Sequence, residues 1–335
     1  MIKNLLILVF GLVGFQAANA QRDTVIYYYK NSGKTVPVKD SADFYRVILP
    51  PDTAADKDLY RVYDYNLNGK LKSVATSLNA QAEVALDGTR IDYFPNGKRK
   101  RTSFYKNGVL NGTLTYYYPN GKLYYVLKIE NVNNGNYDEY YHGYFLNPIY
   151  NYKMTLLEFR DSTGNLMASN GNGHIILFDE DFKKIIAEGN LKKDKKDGEW
   201  KGLIADSGKF TCVFHKGDVV SGVSYLNSGN QYSFDQLYVP AEFSGGIEAF
   251  HDFIRRKLRY PESARSHKVV GYVEVGFDIE ADGKVSNVKV TQSLLKSCDD
   301  EAIRVVSTSP VWTPGRKFGI PSVTHNKVSV YFMNH

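Results

Sequence analysis

The chain has 335 residues, 43% hydrophobic and 14% aromatic, with 26 Tyr against 2 Trp. That content excludes a disordered chain, the length leaves room for more than one domain, and the tyrosines favour β structure. The formal charge of +6 reads as spread through the chain, so the concentrated basic face that nucleic-acid binding needs is not expected.

Residues 1–20 have the parts of a secretory signal: Lys3, an apolar run from Leu5 to Phe15, and Ala18-Asn19-Ala20 before Gln21. The run falls short of the roughly 20 apolar residues of a membrane span, and no cysteine follows to carry a lipid. Export by a cleavable signal is therefore expected. If the segment is retained, it would hold the protein at the membrane.

Residues 21–60 form an N-terminal β segment. Val25 to Lys30 and Asp43 to Ile48 are strand-like runs, closed by Asn31-Ser32-Gly33 and Pro50-Pro51. Residues 61–235 carry a repeat. Tyr93-Phe-Pro-Asn-Gly-Lys98 returns as Tyr117-Tyr-Pro-Asn-Gly-Lys122, with Asn68-Gly69-Lys70 before them and Asn107-Gly108 between. Each unit predicts a strand, a tight turn and a strand, with Asn-Gly supplying positive φ angles and flanking aromatics packing across strands. One hairpin is marginal alone, so the units must stack into an elongated antiparallel sheet. The period loosens after residue 130 and resumes through Ala187-Glu-Gly189, Asp197-Gly-Glu-Trp200 and Lys216-Gly217. Such units resemble MORN-type repeats of the antitoxin-like bacterial variant. They serve either as a spacer or as a protein-binding surface.

Pro240 and Gly245-Gly246 break the pattern and mark a linker over 236–246. In 247–335, Ile247, Phe250, Phe253, Ile254 and Leu258 share a helical face, and Pro261 ends that helix near Arg259. Gly271 to Ile279 alternates as a half-buried strand, Ala281 to Lys284 turns it, and Val285 to Thr291 returns. Ser297 to Asp300 starts a second helix that Pro310 stops, and Val328, Val330 and Phe332 alternate with Lys327, Ser329 and Tyr331 in a last strand. The sum is a small α+β domain, two helices on a three-stranded antiparallel sheet.

The order Gly245-Gly246, Tyr260-Pro261, Gly271 to Ile279, Asp282-Gly283, Asp300-Glu301-Ala302 and Pro310 to Gly315 resembles the C-terminal domain of TonB. TonB is the periplasmic protein that passes inner-membrane energy to outer-membrane receptors. The resemblance implies a periplasmic location and strand addition, in which a receptor's TonB box pairs with an exposed sheet edge. The edge carried over is Lys327, Val328, Ser329, Val330, Tyr331 and Phe332, with Tyr260-Pro261 as the family's Tyr-Pro element. The implied partner is a TonB-dependent receptor or a related envelope protein; a homodimer through this domain is a further expectation. The chain departs from the family by lacking a Pro-rich spacer and by Ser244 and Ile320, where relatives more often have proline and a basic residue.

No paired histidines suggest a zinc site, and Asp278-x-Glu280-x-Asp282-Gly283 fails as a calcium loop because Lys289 takes its twelfth position. No metal, cofactor or catalytic site is expected, so the chain reads as a binding protein, not an enzyme. A scaffold acting through its repeats is the alternative. Cys212 and Cys298 fall in different predicted domains and read as two isolated thiols.

Overall fold

The structure, a computed structural model, describes residues 24–52, 58–131 and 152–333. The signal segment and the tyrosine-rich stretch 137–151 lie outside the described residues. Among these, no helix is long and apolar enough to cross a membrane. Two compact units form, one within 24–131 and one within 152–333.

The first unit holds β1 (Val25–Tyr29), β2 (Thr35–Val36), β3 (Phe44–Leu49), β4 (Tyr60–Asn66), β5 (Leu71–Ser77), β6 (Gly88–Tyr93), β7 (Arg99–Lys106), β8 (Val109–Tyr117) and β9 (Leu123–Asn131). β1 pairs with both β2 and β3, and from β3 to β9 each strand pairs antiparallel with the next. Alternation gives the sheet one buried face, on which Ile48, Val62 and Ala75 form an apolar row. Two residues along each strand lies a polar row, Arg46, Asp64, Ser73, Asp92, Arg101 and Tyr116 in register. Its charges satisfy one another: Arg46 donates to both Asp64 oxygens at 2.7 and 3.1 Å, Ser73 donates to Asp64, and Arg90 and Arg101 reach Asp92.

The Asn-Gly turns differ from the predicted kind at three positions. At 66–70, 94–98 and 118–122 the loop has three residues, and only Gly69, Gly97 and Gly121 take positive φ. The asparagine keeps ordinary φ and uses its side chain instead, accepting from the main-chain N–H of Lys70, Lys98 or Lys122. Successive tips are tied together, since Asn96 donates to Pro119 and Lys98 to Asn120 at 2.9 and 2.8 Å. Asn107-Gly108, on the opposite edge, is the expected two-residue turn with both φ positive.

The second unit continues the pattern as β10 (Tyr152–Arg160), β11 (Leu166–Ser169), β12 (Asn172–Phe178), β13 (Ile185–Lys192), β14 (Lys195–Ile204), β15 (Gly208–His215), β16 (Asp218–Leu226) and β17 (Gln231–Phe234), each paired antiparallel with the next. Register places Gly189, Trp200, Cys212, Gly222 and Phe234 in one row on the buried face. The glycines are seats for rings: a Cβ at Gly189 would meet the Trp200 indole at 2.3 Å, and one at Gly222 the Phe234 ring at 2.3 Å.

The rest of this unit comprises β18 (Tyr238–Val239), α1 (Gly246–Lys257), α2 (Glu262–Ser266), β19 (Gly271–Ile279), β20 (Val285–Gln292), α3 (Lys296–Ser307), β21 (Arg316–Lys317), β22 (Ile320–Pro321) and β23 (Thr324–Phe332). The two helices expected on the sheet are α1 and α3, and the five residues after Pro261 add the short α2. The sheet order is β20-β19-β23, with Phe250 and Ile254 of α1 and Ala302, Val305 and Val306 of α3 packed on its inner face together with Trp312. Ile247, assigned to the buried face of the first helix, is exposed.

A second small sheet, β18-β21-β22, was not foreseen. It draws residues 238–242 into the domain, where Glu242 and Thr313 also exchange main-chain hydrogen bonds. Its hairpin turn, Phe318-Gly319, has both φ positive and inserts Phe318 against Phe210 and Phe234 of the repeats. Gly319 runs so close to β17 that a Cβ there would meet the Ser233 carbonyl at 2.6 Å. Cys212 and Cys298 are free and buried.

Candidate functional site

β23 pairs with β19 from Gly271↔Phe332 to Ile279↔Thr324 without a register shift. Which main-chain groups remain open follows from the neighbouring turn. Glu280 N–H donates to Lys284 and Gly283 N–H to Glu280, both at 2.9 Å, so Glu280 and Lys284 are a hydrogen-bonded pair. Antiparallel pairs alternate, so Ile279, Phe277, Val275, Val273 and Gly271 turn their main-chain groups toward β23. Their partners Thr324, Asn326, Val328, Val330 and Phe332 therefore use theirs on β19. His325, Lys327, Ser329 and Tyr331 direct N–H and C=O to the open side, where among the described residues no strand pairs with β23.

The six residues carried over to this edge thus divide. Val328, Val330 and Phe332 are buried in the core and hold the strand in place, whereas Lys327, Ser329 and Tyr331 face outward and supply the groups a further strand would use. Tyr331 is 56% exposed and lies beside Tyr272 with ring centroids 5.6 Å apart. Lys327 reaches Glu274 at 3.0 Å; hydrogen bonds from Thr291 and then Lys327 hold the Glu274 carboxyl below the usual carboxylate range. His325 contacts Asp278, whose carboxyl is lowered by hydrogen bonds from His325 and Asn287.

Tyr260 belongs to the same end of the sheet. Its ring meets Phe332 edge-on at 5.8 Å, and its hydroxyl donates to the Val269 carbonyl. Pro261 is one step removed: it caps α2, its carbonyl accepting from Ala264 and Arg265 at 3.1 and 2.9 Å. The other edge strand, β20, is unsuited to pairing, because its register slips twice against β19 and Asn287 has φ 49°.

Sequence reasoning missed a charged surface beside Tyr260. Arg255, Arg256, Lys257, Arg259, Arg265 and Lys268 face one acid within 255–268, Glu262, so this stretch carries a net +5, as does 98–106 in the first unit. All seven of these side chains are exposed. The signal was present as a run of letters but was submerged in the whole-chain total.

The repeat sheet of the second unit also carries a groove of about 1030 Å³ across β12 to β17. Glu188, Lys201, Thr211, Ser221, Val223 and Ser233 line it. Lys201 donates to Glu188 at 2.9 Å and holds that carboxyl below its ordinary range. Among the described residues no cluster of His, Cys, Asp and Glu could hold a metal ion.

Residues 256–333 match the family model of the Gram-negative bacterial TonB protein C-terminal, a span that runs from within α1 to the end of β23. Residues 86–107 and 110–131 each match the MORN repeat variant, one hairpin apiece. No curated protein matches the chain.

Proposed function

We propose that the protein is an exported, TonB-like component of the Gram-negative cell envelope that binds an extended peptide by strand addition to β23. It works in the periplasm without cofactor or turnover. Its partner is the TonB box of an outer-membrane receptor, and its role is in energy-coupled transport across that membrane. The observation that carries the reading is the open edge of β23, with the outward main-chain groups of Lys327, Ser329 and Tyr331 set on a buried core. The match of 256–333 to the TonB C-terminal model supports the same partner class.

The test is photo-crosslinking in living envelopes from a reactive amino acid at Tyr331 of the full chain. Crosslinks to the N-terminal segment of an outer-membrane receptor are expected, and Ser329→Pro should abolish them by removing an outward donor. Persistence of the crosslinks in that variant would defeat strand addition. A second reading, in which the repeats are the binding surface, is favoured by the groove across β12 to β17. It predicts crosslinks from Val220 in place of Tyr331. Self-pairing of β23 in a homodimer would appear as a crosslinked product of twice the chain mass.

A further inference from the structure

The basic stretch next to Tyr260 lies outside the main-chain pairing proposed for β23. We infer that the peptide taken up by β23 is acidic at the end that runs past Phe332, where Arg259, Arg265 and Lys268 hold its carboxylates. The inference rests on strand addition at that edge and adds a charge requirement to it.

Tyr260 touches Phe332, the last residue of β23, and the Arg265 guanidinium lies 5.8 Å from the centroid of the Tyr260 ring. Arg259 precedes Tyr260 in the chain, and Lys268 precedes Val269, whose carbonyl accepts the Tyr260 hydroxyl. Val269 and Val270 then lead into β19 at Gly271, opposite Phe332. A strand extended along β23 in this direction therefore ends at the same end of the sheet as Tyr260 and these cations.

Arg255 is engaged by Asp252, but Arg256, Lys257, Arg259, Arg265 and Lys268 have no ion-pair partner among the described residues. Glu301 is occupied by Arg304 and by the main-chain N–H of Arg259. Open cations beside an unpaired strand edge attract a carboxylate-bearing segment and steer its approach. Along the edge itself Lys327 is already matched by Glu274, and His325 contacts Asp278. The demand for negative charge thus falls at one end of the bound strand.

The test measures fluorescence anisotropy of synthetic peptides with the full chain. All share an alternating Thr-Val core; one carries glutamates at its N-terminus, one at its C-terminus, and one has glutamine at both. One acidic peptide, set by strand direction, should bind about tenfold tighter than the glutamine peptide at low salt. The triple variant Arg259→Glu, Arg265→Glu, Lys268→Glu should lose that gain and keep its affinity for the glutamine peptide. No gain in the wild type, or a gain that survives the triple variant, overturns the inference while strand addition stands. Binding of the acidic peptide undiminished by Ser329→Pro overturns it too, since the cations would then act without the edge. Displacement of the acidic peptide by phosphatidylglycerol vesicles would assign the cations to lipid and also overturn it. If even the glutamine peptide fails to bind the wild type, it is strand addition itself that falls.

Discussion

The hydroxyl of Ser224, in the repeat sheet, donates to the main-chain carbonyl of Phe318, in the C-terminal domain, at 2.7 Å. Ser224 is wholly buried, and the Phe318 ring stacks on Phe210 at 4.8 Å. Truncation by Phe318→Ala should cost about 3–5 kcal/mol in urea unfolding, as for other core aromatics. It should also make residues 236–246 more open to proteolysis than in the wild type.

Proline at adjacent positions of β23 should give opposite results. Val330 uses its N–H on β19 and is fully buried, so Val330→Pro should cost about 3 kcal/mol or more and unfold the domain. Ser329 directs its N–H away, so Ser329→Pro should leave the thermal transition within a few degrees of wild type. Equal losses would mean that the alternation has been placed one residue out of step.

Gly189 has no room for a methyl group beneath Trp200. Gly189→Ala should displace the indole, break its hydrogen bond to the Asn190 carbonyl, and cost about 1–3 kcal/mol. Tryptophan emission should shift to longer wavelength as the ring meets water; an unchanged spectrum would count against this packing.

The Arg46–Asp64 pair has side chains only 10% and 3% exposed. Removing one partner strands the other, so Asp64→Ala should destabilise the first unit by about 3–5 kcal/mol. Equilibrium denaturation followed by tyrosine fluorescence would read the loss.

Lys196 lies over Trp200 and Phe214, and burial lowers its ammonium to about 8 against a weaker opposite pull from Cys212. The folded protein then releases this proton before the unfolded chain does. Stability should therefore rise as pH climbs from about 8 toward the ordinary lysine value. Lys196→Met should remove that rise and stabilise the protein at neutral pH. Comparing the two proteins at each pH offsets the contrary trend from Cys212, whose thiol burial pushes up to about 12.

Much of this was legible because the patterns are long. The Pro-Asn-Gly-Lys turns located the hairpins, and alternation from Val328 to Phe332 located the last strand with its buried and exposed faces. Turn geometry was read less well: Asn68, Asn96 and Asn120 keep ordinary φ because a third loop residue lets glycine alone take the left-handed position. The β18-β21-β22 sheet escaped notice because two-residue strands carry no periodicity, and its hold on residues 238–242 depends on partners far along the chain. At the edge, composition marked the strand, but only the hydrogen bonds at Glu280 and Gly283 told outward from inward main-chain groups.

The slips in β20 bear on what assemblies the domain can join. A sheet receptive at both margins can recruit copies without limit, each newcomer exposing a fresh margin. Here one margin is spoiled by the Asn287 kink and the other is open. Strand addition at β23, as proposed, would consequently be a single, saturable event in this domain: ligands would compete for one seat, and self-association through this sheet would close at a pair.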